Sequence, residues 1–138
     1  MFVNACFVAL GGALGAVGRY FVGILTSFVL KGFYVPGFFA SFPLSTFLAN
    51  VIGCFIIGFL SIFFENNTQA YAAHLKLFAV TGILGGFTTF STFSLETVSL
   101  FQDGVYGLAF LNVLMTLVVC FAGVVLGRMA GQALFLKA

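Results

Sequence analysis

The chain has 138 residues, of which 62% are hydrophobic and only 6% are charged. Soluble proteins average roughly 45–50% apolar and about 25% charged residues, so this composition excludes a water-exposed globular surface. The net charge of +2 comes from a few scattered side chains, which excludes a basic stripe for nucleic acid. Since a bilayer-spanning helix needs roughly 20 apolar residues, the length predicts one all-α membrane domain over residues 1–138 with four transmembrane helices.

Four apolar runs, separated by short polar or turn segments, give the predicted spans in chain order. They cover about residues 2–30, 43–64, 75–101 and 105–127. Turn residues at 31–37 end the first span, and Pro43 suits the first turn of the second helix because it lacks an N–H donor. The first span is too long for a signal peptide, so we expect it to stay in the mature protein.

Small residues at four-residue spacing predict close packing between the spans, because they let helix backbones approach each other in lipid. The pairs are Gly11/Gly15, Gly82/Gly86, Gly123/Gly127 and Gly127/Gly131. Three cysteines, Cys6, Cys54 and Cys120, lie in apolar runs without the spacing of a zinc site or a disulfide framework. We therefore expect these cysteines to serve in packing.

The positive charges give almost no orientation bias. With four spans, Lys76, Arg128 and Lys137 lie on the side of both termini, while Lys31 and Arg19 belong to the other side. Because the Lys and Arg bias sets orientation, the sequence predicts insertion in both directions and an antiparallel, dual-topology dimer. A single fixed topology would contradict this prediction.

The third span has the least regular sequence, with glycines followed by closely spaced hydroxyl residues between Thr81 and Glu96. Non-helical backbone at membrane depth survives only where protein or a water-filled cavity surrounds it. We expect a broken helix, with the break near Gly85 and Gly86 at the bilayer midplane. The backbone carbonyls of Gly85 and Thr88, from two antiparallel copies, would then coordinate a monovalent cation, as unwound helices do for sodium in transporters.

Phe90 and Phe93 lie one helical turn apart among the hydroxyl residues. Aromatic rings have a positive edge, so two ring edges can replace part of the water around a small anion. The buried amide of Asn50 and the hydroxyls of Ser91 and Thr92 would supply hydrogen-bond donors. Ordinary packing of the two rings, and a helix–helix hydrogen bond from Asn50, are alternatives that the sequence leaves open.

Two charged residues also allow two interpretations each. Glu96 follows the hydroxyl run and either ends a polar track as a hydrogen-bond acceptor or lies near the membrane interface. Arg19, deep in the first span, either extends to the interface or gives an aqueous vestibule a positive potential that attracts anions.

These motifs resemble the Fluc, or CrcB, family of fluoride channels over essentially the whole chain. The resemblance is carried by Gly18-Arg19-Tyr20, by Asn50 with Gly53, and most specifically by the string Gly85-Gly-Phe-Thr-Thr-Phe-Ser-Thr-Phe-Ser94. It implies a fluoride-selective channel in the cell inner (plasma) membrane, built as an antiparallel homodimer with two pores. Such a channel exports cytoplasmic fluoride passively and lowers its toxicity.

The resemblance also implies residue roles. Phe90 and Phe93 correspond to the aromatic pair of the pore, and Gly85 and Thr88 to the ligands of a structural sodium ion at the dimer interface. On the fourth helix, Cys120 and Val124 replace a serine and a threonine of some members. The implied fluoride-pore residues are Asn50, Phe90, Phe93, Ser91, Thr92, Glu96, Arg19, Thr116 and Cys120.

Three other classes fit the sequence less well. A small multidrug exporter also has four helices and dual topology, but its proton-coupled form needs a buried carboxylate, which the first two predicted spans lack. A structural membrane subunit would not need a hydroxyl-rich broken helix. An enzyme is not expected, because the chain has no nucleophile beside a base and no acid pair.

Overall fold

The computed structural model describes residues 1–32, 40–67 and 69–136. Residues 33–37 of the predicted turn lie outside the described residues, and so does Lys137. Within the described part all regular structure is helical. Four helical stretches are long and apolar enough to cross a membrane, which confirms the prediction of a four-span, all-α membrane protein.

The first two spans are single helices, α1 (Phe2–Gly32) and α2 (Leu44–Glu65). The third is divided into α3 (Ala70–Lys76), a π-helical segment (Leu77–Leu84), α4 (Gly85–Phe87) and α5 (Phe90–Gln102). The fourth is α6 (Tyr106–Phe135), which continues past the predicted span end at 127.

Local chemistry explains two of the helix ends. Pro43 directly precedes α2, and its carbonyl accepts the N–H of Phe47 at 3.0 Å. The turn between the third and fourth spans depends on Gly104, whose φ of 76° is favourable only for glycine. There the N–H of Val105 donates to the Leu100 carbonyl at 2.9 Å, so the chain reverses within a few residues.

Glycines bring the helices into backbone contact. The space beside Gly11 and Gly15 of α1 is filled by backbone atoms of the third span, including those of Ile83. On the other side of the bundle, Gly127 of α6 lies against the backbone of Phe55 in α2. The close packing predicted from the small-residue spacing is therefore confirmed.

The predicted position of the break in the third span is wrong. Gly85 and Gly86 are helical, and extended backbone occurs three residues later, at Thr88 (φ −84°, ψ 155°) and Thr89 (φ −152°, ψ 112°). Gly86 serves packing instead, because a Cβ there would collide with the backbone of Gly12. Threonine is β-branched and suits an extended conformation.

A cluster of buried apolar side chains lies where α5 meets α6, at Leu100, Leu108 and Ala109. Large apolar side chains such as Phe28 and Phe110 point outward instead. Such an apolar exterior suits a lipid environment, where it needs no polar cover.

Candidate functional site

A cavity of about 430 Å³, here called the central groove, lies between α2, the third span and α6. It collects residues from positions far apart in the sequence. The predicted site residues that line it are Asn50, Gly85, Thr88, Phe90, Phe93, Thr116 and Cys120. Ser91, Thr92, Glu96 and Arg19 lie outside its lining.

Asn50 holds the backbone of Thr89 in its extended conformation. The buried Asn50 side chain accepts the Thr89 N–H through Oδ1 at 2.8 Å and donates from Nδ2 to the Thr89 carbonyl at 3.3 Å. The Asn50 side chain thus satisfies the Thr89 N–H, which has left the helical ladder, and gives the carbonyl of this N-cap residue a further donor. The amide can donate one further hydrogen bond from Nδ2.

The backbone carbonyls of Gly85 and Thr88, which are the predicted sodium ligands, do not accept the hydrogen bonds that a continuous helix would give them. In a continuous α-helix, the Gly85 carbonyl would accept from Thr89 N–H and the Thr88 carbonyl from Thr92 N–H. Instead, Thr89 N–H donates to Asn50, and Thr92 N–H donates to Thr89 Oγ1 at 3.2 Å. Both carbonyls are therefore free to accept, which fits the oxygen ligands that a hard cation requires.

No group of three or more His, Cys, Asp or Glu side chains is placed to hold a metal ion in the ranges that the structure describes. The sodium prediction concerns backbone oxygens and not side chains. It stays a prediction.

Thr89, which the sequence analysis did not single out, joins the hydroxyl residues to the groove. Its Oγ1 lies 3.2 Å from Ser91 Oγ and 2.9 Å from Thr92 Oγ1. Thr89 is also the N-cap of α5, and a threonine directly before a helical run is a recognisable cap signal. Ser91 and Thr92 therefore approach the groove through Thr89 rather than lining it themselves.

The two phenylalanines of the predicted pore have very different environments. Phe93 is buried, with 7% of its surface exposed, whereas Phe90 is 75% exposed. Their ring centroids are 5.6 Å apart and their planes are inclined by 46°. The pair therefore extends from the packed interior of one chain to its outer surface.

Glu96 interacts with Thr46, a residue that the sequence analysis missed. Thr46 Oγ1 donates to Glu96 Oε1 at 2.8 Å, while Oε2 is buried without a partner in the described part of the chain. Thr46 precedes Asn50 by four residues, so both lie on one face of α2. That i, i+4 spacing is the signal that would have identified it.

A second set of hydrogen-bonded polar side chains lies between α5 and α6. The fully buried Asn112 donates to Thr97 Oγ1 at 2.9 Å, and its Oδ1 accepts from Thr116 Oγ1 at 3.4 Å. Thr116 in turn reaches the central groove. The structure therefore ties this predicted pore hydroxyl to a fixed partner.

Arg19 lies half-buried on α1, away from the central groove. Its two interpretations remain open. A different arginine, Arg128 of α6, forms the bidentate ion pair with Glu65 of α2, at 2.7 and 3.1 Å, and also donates to Ser61. This pair joins α2 to α6 at one end of the bundle.

Four spanning helices around a partly polar groove define a multi-pass membrane protein. Residues 6–128 match the family model described as CrcB-like protein, Camphor Resistance (CrcB). The chain belongs to this family.

Several relatives share nearly the full length of the chain. A fluoride-specific ion channel FluC from Agrobacterium fabrum is 44% identical over 133 residues, which cover 96% of this chain and 99% of the relative. The protein of the same name from Ruminiclostridium cellulolyticum is 39% identical, over 96% of this chain and 95% of the relative. The one from Opitutus terrae is 43% identical, over 93% and 92%. The family is one of ion channels and not of enzymes.

Proposed function

We propose that this chain is a fluoride-selective channel that lets fluoride leave the cytoplasm by passive electrodiffusion. The names of the relatives, which specify fluoride, support fluoride as the transported ion. The observation that carries the proposal is the placement of Asn50, Phe90 and Phe93 around one groove beside the extended threonines.

The groove suits a small anion because it offers donors without a fixed positive charge. Among its described lining residues none is a lysine or arginine. The spare N–H of Asn50 and the positive ring edges of Phe90 and Phe93 replace part of the hydration shell. Conduction requires binding that is strong enough for entry and weak enough for exit, and a full cation in the wall would hold the ion too strongly.

The exposed ring of Phe90 supports an assembly of two chains. A ring that is 75% exposed forms only part of a pore wall, and a second, antiparallel copy supplies the opposite side. The proposed homodimer has two pores related by a two-fold axis in the membrane plane. It lies in the inner (plasma) membrane, where fluoride export lowers toxicity.

A structural sodium ion completes the proposed dimer. The free carbonyls of Gly85 and Thr88 from both copies meet at the two-fold axis and coordinate the cation without an acidic side chain. The ion then holds the two interrupted helices together. The support for this is the loss of both helical donors described above.

The test is ion efflux from liposomes that contain the purified protein. We expect passive fluoride efflux and no chloride efflux, with protein-free liposomes as the control. Equal efflux of both anions would contradict the selectivity. Proton movement driven by an organic cation would support the exporter instead.

A further inference from the structure

Two of the three cysteines lie in the wall of the central groove. Cys54 of α2 and Cys120 of α6 both line this groove, and both are free thiols of intermediate burial. Gly123, three residues after Cys120 on α6, faces Cys54 of α2, so the two cysteines lie on the packed faces of the same helix pair. Cys6 is exposed on α1 and does not line the groove.

The helix packing holds these thiols in place. A Cβ built on Gly123 of α6 would lie 3.4 Å from the Val51 carbonyl oxygen and 3.7 Å from Cys54 Cβ, so α6 and α2 are nearly in backbone contact at this level. Gly58 lies directly against the Val124 backbone one turn further on. Two side chains fixed on such closely packed helices are preorganised to bind one ligand together.

We propose that Cys54 and Cys120 form a two-thiol site for a soft metal ion of the mercuric class. Soft sulfur ligands select soft cations, and each thiol binds as the thiolate. With mercuric chloride, two S–H bonds break and two S–Hg bonds form, while two protons and two chlorides leave. Mercury stays divalent and no electron is transferred.

Charge balance favours a divalent ion at this depth. Two thiolates and one divalent cation form a neutral complex, which avoids the cost of an unpaired charge inside the membrane. A monovalent soft ion would leave one negative charge in the groove. The complex lies beside Phe93 and Phe121, so it obstructs the groove. This obstruction, unlike the binding itself, rests on the proposed function.

The test uses the full-length protein with Cys6→Ser as the reference background. We expect one mercury per chain by native mass measurement, and protection of both remaining thiols from a maleimide. Two tethered ligands gain about 100-fold or more over one. Release by a competing monothiol should therefore need about 100-fold more competitor than in the Cys54→Ser and Cys120→Ser variants. The alanine variants replace the serine variants if either fails to fold.

Equal release from the reference and the single-cysteine variants would overturn the site. Fluoride efflux is measured in parallel before and after mercury is added. Efflux that is present before and lost after supports the obstruction, and efflux that persists in the loaded protein overturns it. Absence of efflux before loading would count against the proposed channel and leave the mass and thiol results to decide the site.

Discussion

Asn50 and Thr89 form the contact on which the local geometry of the groove depends. The Thr89 N–H has left the helical ladder, and lipid offers no partner that could satisfy it. The hydrogen bond from the Thr89 N–H to Asn50 Oδ1 replaces the missing helical acceptor, and Asn50 Nδ2 is a further donor to the Thr89 carbonyl. Because the same amide borders the groove, its structural role and its proposed role toward the anion are combined in one side chain.

Asn50→Ala should lower stability. The buried Thr89 N–H would lose its partner, and an unsatisfied buried group costs about 1–3 kcal/mol; the Thr89 carbonyl would lose one of its two donors. We expect a clear fall in Tm of the detergent-solubilised protein, together with loss of fluoride efflux. The control is Asn66→Ala, because Asn66 is exposed and its side chain donates to the Ile62 carbonyl one turn earlier. An unchanged Tm in the Asn50 variant would contradict the stabilising role of the hydrogen bonds between Asn50 and Thr89.

Phe93→Ile should impair conduction without impairing assembly. Isoleucine keeps an apolar side chain in a buried position but removes the positive ring edge. We expect fluoride efflux to fall at least about tenfold, equivalent to about 1.4 kcal/mol in the barrier, with an unchanged elution volume in gel filtration. Phe110→Ile on the exposed face of α6 is the matched control. Wild-type efflux in the Phe93 variant would rule out the ring-edge mechanism.

At the scale of the elements, four apolar runs were enough to predict the spans, and small-residue spacing was enough to predict their close packing. The position of the extended segment was not predictable in this way. Glycine is a signal both for a break and for close approach, and only the neighbouring helix decides between them. At Gly86 the backbone of Gly12 fills the space, so the extended conformation falls on the threonines.

In the site, too, some residues could be predicted from the sequence, while others depend on partners from distant parts of the chain. Asn50, Phe90 and Phe93 could be found from residue type alone, since a buried amide and a spaced aromatic pair are unusual among hydroxyl residues. Thr46 and Thr89 could not be found from residue type alone, because their partners lie about 40–50 positions away in the chain. Their signals are positional: the i, i+4 spacing of Thr46 to Asn50, and the place of Thr89 directly before a helical run. A threonine in a membrane helix is most often satisfied by its own helix backbone.

Gly53→Ala tests how α2 fits the extended segment. A Cβ at Gly53 would overlap the Thr88 methyl group Cγ2, whereas Thr88 Cβ lies 3.7 Å away. We expect Gly53→Ala to lower Tm and fluoride efflux, and Thr88→Ser in the same chain to restore both. Serine removes Cγ2 and keeps the hydroxyl that donates to the Leu84 carbonyl at 2.9 Å.

The control for this pair is Gly23→Ala, where a new Cβ meets nothing within 4 Å. That substitution should be neutral or stabilising by up to about 1 kcal/mol, because alanine is the better helix former. If the double variant with Gly53→Ala and Thr88→Ser keeps the lowered Tm and efflux, the contact between the two positions is not the cause of the defect.

At the scale of the whole molecule, the near balance of positive charge supports insertion in two orientations. The Lys and Arg residues in the loops and near the helix ends set orientation, while Asp and Glu contribute little. Lys76 and Arg128 therefore count on one side, although Arg128 is paired with Glu65. Lys31 counts on the other side, to which the turn with Asp103 and Gly104 also belongs in a four-span order.

Orientation can be measured at that turn. In a background with the three cysteines replaced by serine, Asp103→Cys should react to about half with an impermeant maleimide in intact cells, because both orientations are present. Asp103 is exposed, so the new thiol is reachable whenever it faces outward. Complete labelling, or none, would show a single topology and rule out the antiparallel homodimer.

Two charge variants make the test reciprocal. The double substitution Asn66→Lys and Asn67→Lys adds positive charge on the side of the termini. It should bring labelling of the Asp103→Cys thiol close to completion. A lysine at Gln102 adds it on the opposite side and should bring labelling close to zero. Each biased variant alone lacks an antiparallel partner and should conduct no fluoride, whereas the two expressed together should restore efflux, since each supplies the orientation that the other lacks.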